Sequence, residues 1–121
     1  MSRRYARSGN TDEALTTPAA DCRQLLSVPG GGLRLNRTYW AKAIWIYNSH
    51  ATQTAVVQVY DQAEGAAVAA NERLAFPVPP ATLEVVEIPS PGLEFKTDIT
   101  AAVTNGTVAI YQAGASGYEE G

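Results

Sequence analysis

From Cys22 onward the chain is a succession of short runs rich in β-branched and aromatic residues, each closed by turn formers. That punctuation limits the available folds more than any other feature of the sequence. The runs cover residues 22–28, 38–48, 54–61, 72–78, 83–88, 93–103 and 107–113, with a break in the sixth near residues 97–98. No window of about 11 residues places apolar side chains at helical spacing in a way that competes with this pattern. The fold expected is therefore all-β, a seven- to eight-stranded antiparallel β-sandwich or jelly-roll-like barrel.

The turns have specific causes. Pro29-Gly30-Gly31-Gly32 supplies free backbone angles, and Asn105-Gly106 suits the positive φ of a type I′ turn. Val103-Thr104 should then pair with Thr107-Val108 as a hairpin. Pro77, Pro79, Pro80, Pro89 and Pro91 fall at strand ends, where a missing N–H does least harm to a ladder, so edges and corners belong there.

Alternation with period two sets the buried faces. Leu74, Phe76 and Val78 oppose Arg73, Ala75 and Pro77, and Val108 and Ile110 oppose Thr107, Ala109 and Tyr111. Residues 39–47 differ, since both faces are apolar apart from Lys42, as in a strand covered on both sides. That run is the central strand or part of an interface. The core expected comprises Trp45, Ile44, Ile46, Val57, Val59, Phe76, Val86, Ile88, Phe95 and Ile110. Each contributes roughly 1.5–3 kcal/mol when buried, enough for one sandwich with little left to line a ligand cavity.

Residues 1–20 contain one large aliphatic, Leu15, and bury too little apolar area to offset their ordering entropy. An extended N-terminal arm over 1–20 and a β-sandwich domain over 21–121 follow. Charge divides the same way: the arm holds Arg3, Arg4 and Arg7 against Asp12 and Glu13, leaving +1, whereas residues 21–121 hold six bases against ten acids, leaving −4. An acidic body argues against tracking nucleic-acid phosphate. Only 17% of the chain is charged, against about 25% in an average soluble domain, which favours a surface covered by neighbours. Tyr5, flanked by arginines, is a candidate anchor.

The opening residues have no apolar segment of a secretion signal, and nowhere do about 18 apolar residues run together. Neither secretion nor membrane spanning is expected, so the sequons at Asn36 and Asn105 are read as turn residues.

Catalysis finds little support. His50 is the single histidine and lies between two strands, while Cys22 is the single cysteine and sits in an apolar run that buries its thiol. Asp61 and Glu64 suit a turn better than a Ca²⁺ site. Glu84, Glu87, Glu94 and Asp98 are expected to form a solvated acidic face. Tyr39, Trp40, Tyr47 and Tyr60 suit a core or subunit interface, with a sugar-stacking platform as the alternative. Neither a cofactor nor a metal is expected.

The segments 43–48 and 54–61, then 74–79, 91–99 and 106–111, together resemble small β-sandwich structural proteins of tailed bacteriophages, in particular capsid decoration (cement) proteins. The likeness is one of strand and turn pattern over residues 38–120. It implies a homo-oligomer, with a trimer favoured, on the outside of an icosahedral head, its N-terminal arms reaching over neighbouring coat subunits. The expected function is thus a structural virion protein, made in the host cytoplasm, that binds the major capsid protein and its own copies, with no nucleic acid or membrane partner. Arg3, Arg4, Tyr5, Arg7, Leu15, Tyr39 and Trp40 are the expected contact residues. The alternative is a carbohydrate- or receptor-binding β-sandwich, or a structural subunit, of a phage neck, tail or fibre.

Overall fold

The computed structural model describes residues 4–11, 15, 22–25, 38–104 and 112–120. Its described residues form nine strands, seven of them of four residues or more: β1 (Arg4–Thr11), β2 (Arg23–Gln24), β3 (Thr38–Asn48), β4 (Ala55–Tyr60), β5 (Glu72–Val78), β6 (Thr82–Glu87), β7 (Leu93–Phe95), β8 (Thr100–Val103) and β9 (Gln112–Glu120). Among the described residues the one helical element is a single 3-10 turn at Ala69–Asn71. Two antiparallel sheets result. The first has the order β1-β9-β3-β6, with β7 also on β3, and the second has the order β2-β8-β4-β5.

β3 is the organising strand. Its eleven residues pair with β9 along one edge and with β6 and then β7 along the other. Tyr39, Ala41, Ile44 and Ile46 point inward and are fully buried. They meet Val57 and Val59 of β4, Val78 of β5, Phe95 of β7, Ala101 and Val103 of β8, and Ala113 and Ala115 of β9 in one cluster. Small residues on β9 and β8 let the sheets approach around the larger side chains of β3 and β4.

The inward face changes parity at a bulge between Ala41 and Ala43, which lets Tyr39 and Ile44 share one side of the sheet. Gly117 of β9 sits opposite Ala41, and a Cβ there would collide with the Trp40 carbonyl. Only glycine permits so close an approach.

The two-sheet, all-β architecture and the alternation of β5 match the sequence pattern, with Leu74 and Phe76 packed against the core and Arg73, Ala75 and Pro77 exposed. The sixth run does break, into β7 and β8, which belong to different sheets. Four details differ.

Residues 4–11 do not stand apart as an arm but form β1, the edge strand of the first sheet, matched to β9 over eight residue pairs. Backbone pairing orders a segment that has too few apolar side chains to order itself. Leu15, expected on a partner, is buried at 1% exposure in the chain's own core. Trp45, expected in the core, lies half-buried on the opposite face, because inward parity on β3 belongs to Ile44 and Ile46. The acids expected as one solvated face are dispersed: Glu84 and Glu87 are an odd number apart on β6 and so face opposite ways, and Asp98 is buried. The hairpin at Asn105-Gly106, Ile110 and Arg3 lie outside the described residues.

Candidate functional site

The outer face of the first sheet follows from register. Residues directly opposite each other in an antiparallel pair share a face. Trp40 stands opposite Tyr118 of β9 and Glu94 of β7. Trp45 stands opposite Gly114 of β9 and Val85 of β6, and Tyr47 opposite Leu83 of β6. Both tryptophans of the chain therefore share this outer face with Tyr47 and Tyr118.

The apolar character is concentrated at the β3–β6 end. Leu83 is 56% exposed, Val85 47% and Tyr47 36%, and they adjoin half-buried Trp45 as two cross-strand pairs, Tyr47 with Leu83 and Trp45 with Val85. Gly114 presents no side chain beside Trp45. Isolated exposed apolar residues are ordinary, whereas three exposed ones adjoining a half-buried tryptophan on one sheet face form the kind of patch used in association.

β6 exposes this face because its parity is inverted relative to simple burial. Leu83, Val85 and Glu87 point outward, while Thr82, Glu84 and Val86 point inward, and none of the six residues is buried. The Pro79-Pro80-Ala81 corner fixes that phase. Ala81 has φ 51 and donates its N–H to the His50 carbonyl at 3.1 Å.

At the other end of the face the aromatic pair is more enclosed. The Tyr118 hydroxyl donates to the Pro91 carbonyl at 2.9 Å, which ties β9 to the turn before β7. Gly92, at φ 111, lets that turn pass within reach of Ala41, where a Cβ would sit 2.7 Å from the Ala41 oxygen. The Trp40 indole nitrogen is buried and meets no acceptor among the described residues.

The polar residues weighed for chemistry are structural. The Asp61 carboxylate accepts the backbone N–H groups of Lys96 (3.1 Å), Thr97 (2.8 Å) and Asp98 (3.3 Å), and Arg73 lies 3.7 Å away. It clamps the end of β4 to the β7–β8 corner. Gln62 performs the same service for its own loop, accepting from the Val68 N–H and donating to the Ala66 carbonyl. Asn48 donates to the Gln53 and Val78 carbonyls and accepts from the His50 N–H.

The His50 Nδ1 accepts N–H bonds from Thr52 (3.1 Å) and Gln53 (3.0 Å), and the ring organises the β3–β4 turn. Cys22 lies beyond the opposite end of β4, packed with Tyr60 and Ala102 and bridged to Gly65, so the sequence's one Cys–His pair is not assembled. Tyr60 is buried there, and that burial first, then the charges of Glu72 and Cys22, holds its phenol above the ordinary value of 10.0.

Of the residues expected to contact partners, Trp40 lies on the outer face. Tyr39 is fully buried, Leu15 is core, and Arg4, Tyr5 and Arg7 lie along β1. Leu83 and Val85, the most exposed residues of the patch, carry no local signal beyond alternating apolar positions, which in sequence point to burial. No protein-family model, no curated protein and no solved structure matches the chain.

Proposed function

We propose that the chain is a structural protein that works by association, most specifically a decoration protein that binds the outside of a tailed-phage head and stabilises the coat lattice. The observation that carries the association is the patch of Trp45, Tyr47, Leu83 and Val85 on an otherwise well-packed sandwich. Strand and turn pattern supports the choice of particle. The rigid two-sheet body and the clamps at Asp61 and Asn48 give that patch a fixed shape, which favours a preorganised docking surface over an adaptable one.

A protein of this kind acts by mass action. Binding only the assembled lattice stabilises it by about 2.7 kcal/mol per site at a hundredfold excess over Kd. Copies joined as a homo-oligomer, a trimer in the proposed form, would add avidity through effective concentration.

The test is cosedimentation with purified phage heads. Saturable binding that falls at least tenfold in Leu83→Ser/Val85→Ser supports the proposal, and an absence of binding to heads by the wild-type chain contradicts it. A second possibility is favoured by the aromatic face itself: Trp40, Trp45, Tyr47 and Tyr118 offer stacking surfaces for sugar rings, as in a receptor-binding module of a tail or fibre. Glycan binding that disappears in Trp45→Ala would favour that module.

A further inference from the structure

The edge of the first sheet at β6 is unguarded in a way that the other edges are not. β1, the far edge of the same sheet, carries Arg4 and Arg7 and β7 is three residues long, while in the second sheet the edge strand β5 carries Arg73 and Pro77 and β2 is two residues long. Exposed edges are usually blunted by lysine, proline, bulges or shortness. β6, Thr82-Leu83-Glu84-Val85-Val86-Glu87, has six residues in regular register with β3, without proline, base or bulge. Among the described residues it pairs with β3 alone, so every second N–H and C=O of β6 points away from the sheet.

Its charge is one-sided. From residue 74 to residue 95 there is no lysine or arginine, while Glu84, Glu87 and Glu94 all fall within that stretch. Of the nearby bases, Lys96 lies 3.5 Å from Glu94, Arg73 faces Asp61, and Lys42 sits in the β3 bulge, where its carbonyl accepts the Ile88 N–H beyond the end of β6. Two copies meeting edge to edge at β6 would bring Glu84 and Glu87 of each onto one short antiparallel ladder, and like charges across strands oppose pairing. The same glutamates attract a base-bearing strand.

We infer that β6 is a β-addition site for an extended segment of a partner protein in which apolar residues alternate with lysine or arginine. The segment extends the first sheet by one strand. Its apolar residues continue the Leu83 and Val85 stripe on the outer face, and its bases fall on the inner side beside Glu84, while Glu87, on the outer face at the strand end, adds to the acidic field along the edge. Main-chain bonds supply affinity, and the alternation of side chains supplies selectivity. This deepens the proposed association by naming the partner's chemistry. It is tested without any particle, so its failure and a failure of the head-binding assay are distinguishable.

The probe is an eight-residue peptide of alternating valine and lysine, titrated into the isotope-labelled full chain and followed by amide NMR shifts. Shifts confined to residues 82–87 and the adjoining part of β3 are expected, with affinity at least tenfold above that of the valine–glutamate counterpart. Glu84→Lys/Glu87→Lys, which changes only exposed or half-exposed side chains, should reverse that preference. Methylating alternate backbone nitrogens of the peptide should abolish binding in one phase and preserve it in the other. Equal affinity for the two peptides, shifts elsewhere, indifference to the methylation phase, or self-association of the chain through β6 would each overturn the inference.

Discussion

Asp61 shows how much of this molecule's rigidity depends on single side chains. Three N–H donors from the β7–β8 corner and the guanidinium of Arg73 converge on its carboxylate. Hydrogen bonds to a charged group are worth about 1.5–3 kcal/mol, and stranded donors add a desolvation cost. Asp61→Ala is therefore expected to lower stability by about 3 kcal/mol in urea denaturation, with loss of amide protection at residues 96–98. Tyr60 provides a second test. Its folded pKa is raised by burial, so the stability it contributes is fully present below pH 10 and is lost as pH rises through the folded value. Alkaline unfolding should begin in that range in the wild type and move to higher pH in Tyr60→Phe. Ala81 sits in the left-handed region at φ 51, so Ala81→Gly should be neutral or stabilising by up to about 1 kcal/mol in thermal denaturation. None of these roles was legible in sequence. Asp61 reads as a turn residue because its partners lie 35 to 37 positions away, and long-range backbone donors leave no pattern.

At the level of elements, alternation within strands was legible and the choice between faces was not. β5 follows its hydrophobic pattern because one side meets the core and the other meets water. β3 is apolar on both sides, so the pattern could not say whether Ile44 or Trp45 points inward, and the bulge after Ala41 decides it. Gly117 permits that bulge, and Gly117→Ala is expected to cost about 1–3 kcal/mol, read as a lowered urea midpoint, because the new methyl meets the Trp40 carbonyl. β1 was missed for a related reason: its pairing with β9 depends on main-chain groups, which every sequence possesses. Removing residues 1–11 should expose amides of β9 to hydrogen exchange while leaving those of β4 and β5 protected.

Among the described residues the molecule is a two-sheet sandwich, and three of its five exposed large hydrophobic side chains, Tyr47, Leu83 and Val85, lie together on the outer face of the first sheet. Two-sheet architecture could be inferred from the number and spacing of the β-rich runs, since short strands with frequent turns have few other ways to bury their inward sides. The location of the patch could not, because Leu83 and Val85 have the same alternation that elsewhere marks a core face. Exposed residues at 56% and 47% contribute little to folding, so Leu83→Ser and Val85→Ser should each change stability by less than about 0.5 kcal/mol while weakening association. The most direct measurement of the central claim is hydroxyl-radical footprinting of the chain, free and bound to phage particles, read residue by residue by mass spectrometry. Oxidation at Trp45, Tyr47, Leu83 and Val85 is expected to fall several-fold on binding, while Val68, 55% exposed on the loop before the 3-10 turn, remains as reactive as in the free chain. Unchanged oxidation across those four residues in the bound state would contradict the account.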